Sequence, residues 1–209
     1  MLIKVIAFDV GGVLAIARKK FAHEKSESKS VHALVANKLG IDLDGYFDAI
    51  DTTWSASIDG RISKSEALKI MSHNLRTNPE KLERVFIEAY HSVYERNDYL
   101  YNAAYNLKSK FKIMILSDQW PVSKEVTVNF EDEKKFDYSI ISCEVGVRKP
   151  DSKIYGIALE RAGVKPNELV FIDNRDWNTI AAEALGIKTI LFESNEQCIQ
   201  ELRKIGVVV

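Results

Sequence analysis

Several residues of this chain that could do chemistry follow short apolar runs. Asp9 ends the run "IKVIAFD", and Asp173 ends "LVFID". Ser117 ends a third run, "FKIMILS", and is followed by Asp118, while Lys149 lies shortly after a fourth, "YSIISCEV". A nucleophilic carboxylate, a second carboxylate that can bind a hard cation, a hydroxyl and an ammonium group together suit phosphoryl transfer.

The residue types suggest a role for each candidate. Asp9 and Asp173 are candidate ligands of Mg²⁺, which takes oxygen ligands and retains several waters. Ser117 and Lys149 could hold phosphate oxygens while the metal neutralises charge in the transition state. Taken singly, an aspartate or serine after a strand is typical of a turn, and a lysine of a solvated surface. We favour a site because four such residues stand at, or just beyond, the ends of different strands.

The apolar runs predict the strands that position these residues. Each run is continuous, as in strands covered on both faces; the runs are residues 3–10, 111–117, 138–145, 169–173 and 189–192. Helical patterns lie between the later runs, one over residues 151–163 with Asp151 as N-cap and Gly163 as its stop, and one over residues 178–186. The alternation predicts an α/β fold with a doubly wound parallel sheet, in which ligands bind outside the carboxyl ends of the strands.

Residues 16–95 interrupt this alternation, and their pattern is helical, with no strand predicted. Ser63 and Glu66 have the spacing of a capping box, and Asn78 with Pro79 begins a further helix. That helix carries an apolar stripe, predicted to pack in a core, made of Leu82, Val85, Phe86, Ala89, Tyr90 and Val93. We therefore predict a core of residues 1–15 and 96–209 and a helical insertion of residues 16–95. The polar stretch 17–30 is predicted to be a linker or, alternatively, a patch that attracts phosphate.

Composition limits the partners. The net charge of −1 gives no indication of nucleic acid or membrane binding, and no apolar window is long enough to span a membrane. Only two cysteines occur, Cys143 and Cys198, which indicates neither a disulfide framework nor a zinc site. We expect a soluble cytoplasmic protein, monomeric or homodimeric, that acts on a small molecule.

The strand-end segments, taken in order, resemble the motifs of the haloacid dehalogenase superfamily. "VIAFDVGGVL" resembles the first motif, DxDGxL/V, whose first Asp attacks phosphorus to form an aspartyl phosphate. "IMILSD" is similar to the second, a strand that ends in Ser or Thr, and "EVGVRKPDSKIYGIAL" to the third, which supplies the lysine. "LVFIDNRDWNTIAAEALGIKTILF" is similar to the fourth, which supplies the acidic metal ligand. The resemblance implies a Rossmann-like core, a hydrolase activity, and a helical cap of the C1 type at residues 16–95, which closes over the site.

The resemblance assigns the candidates more closely. Asp9, Ser117 and Lys149 are the implied catalytic residues, and Ser117, Lys149 and Asp118 the phosphate-binding ones. The implied Mg²⁺ ligands are Asp9, Asp173 and the residue at Gly11, where the family uses a backbone carbonyl.

The first motif departs from the family pattern at Gly11. The family's phosphatases carry a second Asp there, which protonates the leaving group and then activates water. General acid–base catalysis of this kind contributes about 10²–10⁴-fold to the rate. Asp118 and Asp176 are candidates to replace this group, and Asn174 stands where a second acid of the fourth motif is common.

Three functions remain open. The first is a Mg²⁺-dependent phosphatase acting on a small phosphorylated metabolite with a leaving group of low pKa: an acyl phosphate, a sugar-1-phosphate or an aryl phosphate. The second is a metal-independent dehalogenase, since halide leaves without a proton, although Asp173 argues against it. The third is a catalytically impaired binding or regulatory protein, which the glycine at position 11 favours. The four retained candidates argue against it: Asp9, Ser117, Lys149 and Asp173.

The remaining polar and aromatic candidates receive weaker interpretations. The four histidines (His23, His32, His73 and His91) are predicted to lie away from the strand ends and are assigned no chemistry. Trp54 and Trp120 are predicted to pack in the interior, with a place in the cleft between insertion and core as the alternative.

Overall fold

A computed structural model describes residues 2–18, 30–128 and 130–208 of the chain. The strands are β1 (Val5–Phe8), β2 (Ala15–Ala17), β3 (Tyr94–Arg96), β4 (Lys112–Ser117), β5 (Tyr138–Ile141), β6 (Leu169–Asp173) and β7 (Lys188–Leu191). The first helices in chain order are α1 (Val31–Leu39), α2 (Leu43–Ile58), α3 (Lys64–Asn74), α4 (Pro79–Val93), α5 (Asp98–Leu107) and α6 (Pro121–Thr127). They are followed by α7 (Phe130–Glu133), α8 (Ser142–Val145), α9 (Ser152–Ala162), α10 (Asp176–Glu183) and α11 (Asn195–Lys204).

The core is a parallel sheet of five strands in the order β5-β4-β1-β6-β7, which confirms the predicted α/β fold. The central strand β1 pairs with β4 on one side and β6 on the other, so that Phe8 lies opposite both Ile115 and Ile172. The chain therefore leaves β1 in one direction for β4 and later returns on the other side as β6. This reversal is the topological switch point at which open α/β sheets bind ligands.

Both faces of the sheet are covered, which explains why β1 is apolar along its whole length and β6 is apolar up to Asp173. Residues of α5 and α11, such as Leu107 and Leu202, pack on one face. Residues of α9 and α10, such as Tyr155 and Ala182, pack on the other. As predicted, α9 begins at the N-cap Asp151 and ends at Gly163, which has a φ of 63°.

The predicted strand at residues 138–145 is partly helical. The run 138–145 forms a strand only as far as Ile141 and then turns into the short helix α8. The neighbouring strand β4 ends at Ser117, which lies opposite Ile141, so no partner continues the ladder. A short apolar run fits a buried helix as well as a buried strand, and the sequence period alone does not separate them.

The helices α1 to α4 lie between β2 and β3 and enclose a hydrophobic cluster of their own. The capping box of Ser63 and Glu66 is confirmed, as is Asn78 as a cap before Pro79. All six residues of the predicted stripe on α4 are buried, which confirms its packing role. Trp120 and Val122, at the start of α6, join the same cluster and connect it to the core.

The prediction that residues 16–95 contain no strand was wrong at the two ends of this segment. Ala15–Ala17 and Tyr94–Arg96 form an antiparallel pair that joins the helices to the core. Each strand has only three residues, too few to give a period in the sequence. Residues 19–29, and with them most of the predicted linker or phosphate patch, lie outside the described residues.

Candidate active site at the carboxyl edge of the sheet

The side chain of Lys149 joins the two carboxylates that the sequence singled out. Its Nζ lies 3.0 Å from Asp9 Oδ1 and 2.7 Å from Asp173 Oδ2, and it donates a third hydrogen bond to the carbonyl of Leu116 at 3.3 Å. Asp9, Lys149 and Asp173 are all buried. An ammonium group in contact with two carboxylates away from water is a strongly coupled arrangement, because the low local dielectric strengthens each attraction.

Backbone groups and neighbouring side chains hold these three residues in place. Asp9 comes directly after β1, and its N–H donates to the carbonyl of Ile172 in β6 at 2.9 Å. Asp173 ends β6, and its two oxygens accept hydrogen bonds from the Arg175 N–H at 2.8 Å and from Asn178 Nδ2 at 3.0 Å.

Asp118 positions the loop that carries the lysine. Its Oδ1 accepts a hydrogen bond from the backbone N–H of Lys149 at 3.0 Å. The prediction that Asp118 binds phosphate remains a prediction. In the structure, the Asp118 carboxylate lies beside Lys149 and contacts its backbone N–H.

The carboxylates outnumber the ammonium group, and the pKa values reflect this. Burial raises the pKa of Asp118 to about 6, against the attraction of Lys149. Burial and the negative charge of Asp9 raise the pKa of Asp173 above its usual range. Burial by itself would lower the pKa of Lys149, but Asp9, Asp173 and Asp118 outweigh it and hold that pKa above its ordinary value. The cluster therefore has an excess of negative charge in a buried place, which a cation would relieve.

The residues of this cluster fit a Mg²⁺ ion that retains most of its bound water molecules. In the described part of the chain, no three His, Cys, Asp or Glu side chains form a metal-holding group. Mg²⁺ commonly uses only one or two carboxylates and completes its octahedron with water and substrate oxygens. Beside Asp173, the buried Oδ1 of Asn178 has no hydrogen-bond partner, so an acceptor is present there for a metal-bound water. The assignment of Asp9, Gly11 and Asp173 as ligands stays a prediction that these features support.

Ser117 is fully buried at the end of β4, and its Oγ accepts a hydrogen bond from Gln119 Nε2 at 3.0 Å. The backbone N–H of Gln119 donates in turn to Ser142 Oγ at 3.0 Å. Ser117 thus lies at the predicted strand end, next to the Leu116 carbonyl that Lys149 contacts. Its predicted role in holding phosphate remains a prediction.

The two glycines after Asp9 are not equivalent. A Cβ placed on Gly11 would meet nothing within 4 Å, so this position has room for a larger side chain. Gly12 has a φ of 87°, and a Cβ there would lie 2.2 Å from Asn174 Nδ2. The chain thus requires glycine at position 12, because L side chains rarely adopt such a φ and because the neighbouring amide fills the space.

A cavity of about 540 Å³ lies between the carboxyl edge and the helices α1 to α4. From the core it is lined by residues that include Gly11, Asp118, Gln119, Arg148, Lys149 and Arg175, and from the other side by His32, Trp54, Ile58, Tyr90 and Tyr94. Trp54 and Trp120 both line it, so the alternative interpretation holds for both, although Trp120 is also fully buried. Asp176 is exposed and is not among the lining residues, so the structure does not bring it to the site.

The prediction that the histidines lie away from the strand ends was wrong for His32. The first turn of α1 brings it to the cavity, where its ring contacts that of Trp54 at a centroid distance of 5.0 Å. Its Nδ1 is hydrogen-bonded to the Tyr46 hydroxyl at 2.9 Å. No pattern in the sequence indicates this contact, because residues 32 and 54 meet only when α1 and α2 pack together.

Burial lowers the pKa of His32 from 6.5 to about 4, which predicts a pH dependence of stability. Between these values the unfolded chain binds a proton that the folded chain does not, so the free energy of unfolding falls as the pH drops from 6.5 to 4. We expect His32→Asn, which keeps an acceptor for Tyr46, to remove about 3 kcal/mol of this loss at pH 4. Urea unfolding at pH 7 and pH 4 measures it. Equal losses in the variant and the wild type would contradict the role given to His32.

Arg148, which precedes Lys149, contacts α2 and the residue directly after α2. Its guanidinium donates to Ser55 Oγ at 3.1 Å and lies 3.3 Å from Asp59 Oδ1. Close by, a Cβ on Gly60 would lie 2.4 Å from the carbonyl oxygen of Cys143. The helical segment therefore packs directly on the part of the core that precedes Lys149. Sequence reasoning missed Arg148, although its place beside the candidate lysine was a usable signal.

Asn178 and Gln119 were also missed. Each follows a candidate closely in the sequence: Asn178 lies five residues after Asp173, and Gln119 lies two after Ser117. Both side chains are buried polar groups bonded to those candidates. Their closeness in sequence was the available signal, but whether a polar side chain turns inward depends on the helix or loop that follows the strand.

The fold and the cluster define an α/β protein with an acid–lysine site at the switch point of a parallel sheet. The sequence model described as haloacid dehalogenase-like hydrolase matches residues 3–186, and the chain belongs to that family. The motifs in the sequence predicted this family of hydrolases.

Relatives of known function and solved structures agree with this assignment. The chain is 28% identical over 226 residues to bifunctional epoxide hydrolase 2 of Mus musculus, covering 98% of this chain and 39% of that protein. It thus spans about two fifths of the length of that relative. It is 32% identical over 88 residues to glyceraldehyde 3-phosphate phosphatase of Pyrococcus furiosus, covering 41% of this chain and 37% of the phosphatase. The magnesium complex of a HAD family enzyme from Bacteroides thetaiotaomicron superimposes with a TM-score of 0.76 at 22% identity, covering 96% and 98% of the two chains.

None of the described helices is both long and apolar enough to cross a membrane. The thiols of Cys143 and Cys198 are both free.

Proposed function

We propose that this chain is a Mg²⁺-dependent phosphatase that acts on a small phosphorylated molecule through an aspartyl phosphate on Asp9. The observation that carries the proposal is the buried contact of Lys149 with Asp9 at 3.0 Å and with Asp173 at 2.7 Å. A buried ammonium group between two carboxylates at a sheet switch point is suited to binding a dianion together with a cation. The phosphatase among the relatives and the magnesium complex among the similar structures support the same activity.

Each side chain of the site has its own role in the proposed reaction. Asp9 Oδ1 is paired with Lys149, which leaves Oδ2 to attack phosphorus. The new O–P bond forms as the bond to the leaving oxygen breaks, and that oxygen keeps the electron pair. Water then attacks phosphorus as the bond between phosphorus and the Asp9 oxygen breaks. This restores the Asp9 carboxylate and releases inorganic phosphate, which carries the added oxygen and a proton of the water. Lys149 and the Ser117 hydroxyl would hold phosphoryl oxygens. The positive charge of Lys149 and the hydrogen bond donated by Ser117 would lower the barrier by electrostatic stabilisation.

Mg²⁺, when bound, would neutralise charge on the phosphoryl oxygens. Asp9, Asp173 and the carbonyl of Gly11 are the groups that would hold it. The excess negative charge of the cluster supports this choice of cofactor.

The helices α1 to α4 would act as a cap of the C1 type over the cavity, with boundaries at residues 16 and 95. The lining of the cavity by both layers supports this, because closure of such a layer excludes water from the reacting groups. We also propose a cytoplasmic monomer or homodimer with no nucleic acid or membrane partner, for which the net charge of −1 and the free thiols are the support.

Two other functions are less well supported. A metal-independent dehalogenase would not need the missing acid at Gly11, but the buried Asp173 adds an acidic group that such a reaction does not use. A catalytically impaired binding protein would also tolerate Gly11. Against it, Asp9 and Lys149 retain the contact that the chemistry requires.

The test is hydrolysis of acetyl phosphate and phenyl phosphate by the purified protein, with Mg²⁺ and after removal of Mg²⁺ by chelator. We expect phosphate release that depends on the metal and that falls to the assay background in Asp9→Asn. Asp176→Asn, a change at the exposed aspartate outside the cavity, is the matched control and should keep its rate. Equal rates in wild type and Asp9→Asn would refute the proposal. Chloride release from a 2-haloacid that survives the chelator would favour the dehalogenase.

A further inference from the structure

Resting on the phosphatase function proposed above, we infer that the substrates are aryl phosphate monoesters, in which a phenolic oxygen carries the phosphate. Acyl phosphates and sugar-1-phosphates share the easily displaced leaving group but not the fit to the cavity. Two independent features of the site lead to this choice: the lining of the cavity and the group missing at Gly11.

The cavity is where the leaving group of a bound phosphate would lie. Gly11, Asp118 and Lys149 line it on the side of the core, and its volume of about 540 Å³ is that of a small-molecule site. A phosphate attacked by Asp9 and held by Lys149 would extend its ester oxygen into this space. The opposite wall, built by α1, α2 and α4, would then contact the leaving group.

That wall is largely aromatic. Most of its polar groups are bonded to one another, while the buried Nε1 of Trp54 has no hydrogen-bond partner. The Trp120 N–H donates to the Tyr90 hydroxyl at 2.9 Å, and His32 is bonded to Tyr46. Burial holds the pKa of His32 at about 4, so its ring is neutral near pH 7. The wall therefore offers ring faces, with Trp54 as the large ring that is only partly buried.

An aromatic wall would bind the three kinds of leaving group with different affinity. A sugar ring has several hydroxyls, and all but the one that the Trp54 N–H could bond would face ring carbon and lose hydrogen bonds to water, which is costly. An acetyl group has little apolar surface to bury there. A phenol gains both burial and the offset or edge-on ring contacts that aromatic pairs prefer.

The absence of a general acid at Gly11 also favours a phenolic leaving group. Gly11 supplies no proton donor, and one oxygen of Asp118 already accepts the Lys149 N–H at 3.0 Å. The absence of a carboxylate at Gly11 therefore favours a leaving oxygen that departs with little protonation. Phenols have a pKa of about 10, like tyrosine, well below that of alkyl alcohols, so a phenolate leaves readily.

The experiment compares kcat/KM for 2-naphthyl phosphate, phenyl phosphate, acetyl phosphate and glucose 1-phosphate in the presence of Mg²⁺. We expect 2-naphthyl phosphate to exceed acetyl phosphate and glucose 1-phosphate by about tenfold, or ~1.4 kcal/mol, and to exceed phenyl phosphate by less. Acetyl phosphate has the better leaving group, so a preference for the aryl ester would come from binding and not from intrinsic reactivity.

Variants at Trp54 test the origin of the preference. Trp54→Ala should lower the ratio of naphthyl to acetyl kcat/KM by about tenfold, whereas Trp54→Phe, which keeps a ring, should hold it within about threefold. Trp177 is 54% exposed and outside the cavity, so Trp177→Ala is a matched control in which the ratio should not change. The ratio is insensitive to a general loss of folded protein, and the melting temperature of each variant is measured beside it.

The outcomes separate this inference from the function on which it rests. Metal-dependent hydrolysis of acetyl phosphate or glucose 1-phosphate that is lost in Asp9→Asn, with no preference for the aryl esters, would overturn the inference and leave the phosphatase standing. A preference for the aryl esters that Trp54→Ala does not reduce would also overturn it. If no phosphate is hydrolysed by the wild type, both proposals fail.

Discussion

Replacing Gly11 with aspartate is expected to increase the hydrolysis of alkyl phosphates by about 10²–10⁴-fold, the usual contribution of a general acid–base group. The resemblance to the family's phosphatases implies a carboxylate at this position. The structure has room for one, since a Cβ on Gly11 would meet nothing within 4 Å and the residue lines the cavity beside Lys149. The new carboxyl group could protonate an alkoxide as it leaves and then deprotonate the attacking water.

The gain should depend on the leaving group. An alkoxide needs a proton in order to leave, so glucose 6-phosphate should show most of the increase. A phenolate needs little protonation, so phenyl phosphate should gain less, and only through faster attack of water on the aspartyl phosphate. Measuring kcat for both esters in wild type and Gly11→Asp gives this difference directly.

Two further variants serve as controls for this gain. Gly11→Asn has nearly the same shape but no titratable group, so it should show no increase. Gly12→Ala places a Cβ 2.2 Å from Asn174 Nδ2 at a φ of 87°, and it should lose both activity and stability. A folded Gly11→Asp that hydrolyses glucose 6-phosphate no faster than Gly11→Asn would show that the missing acid does not limit this protein.

The sequence was sufficient to predict those parts of the site that lie on the strands. Asp9 and Asp173 each follow an uninterrupted apolar run, and a parallel sheet brings the ends of such runs to one edge. Lys149 could be predicted as a site residue because the motif that contains it leads directly into α9. In each case the position along the chain determines the position in space.

The wall of the cavity could not be predicted in this way. Its residues, such as His32, Trp54 and Tyr90, come from three different helices, and each sits in an amphipathic pattern that also fits ordinary packing. Which of them face the site depends on how the helices pack on one another and on the core, and on long-range contacts such as that of Arg148 with Asp59. The same limit applies to β2 and β3, which exist only because each supplies the other with a partner.

Lys149→Met is expected to abolish activity and to destabilise the fold by about 3–5 kcal/mol, the usual cost of removing one partner from a buried ion pair. Asp9 and Asp173 would lose an ammonium group at 3.0 Å and 2.7 Å and, being buried, would face each other's charge with little screening by water. Methionine has nearly the shape of the lysine stem, so the change tests charge more than packing.

The neighbouring arginine supplies the control for Lys149→Met. Arg148 pairs with Asp59, but 40% of its side chain is exposed, so Arg148→Met should cost no more than about 1 kcal/mol. Urea unfolding of both variants in chelator gives the comparison, and the same measurement with Mg²⁺ tests the cofactor without an activity assay. A divalent cation between Asp9 and Asp173 would replace part of the lost charge, so Mg²⁺ should stabilise Lys149→Met more than it stabilises the wild type. Similar costs for the two substitutions would mean that the carboxylates of the cluster do not depend on Lys149 for their charge balance, and the mechanism proposed for Asp9 would lose its physical basis.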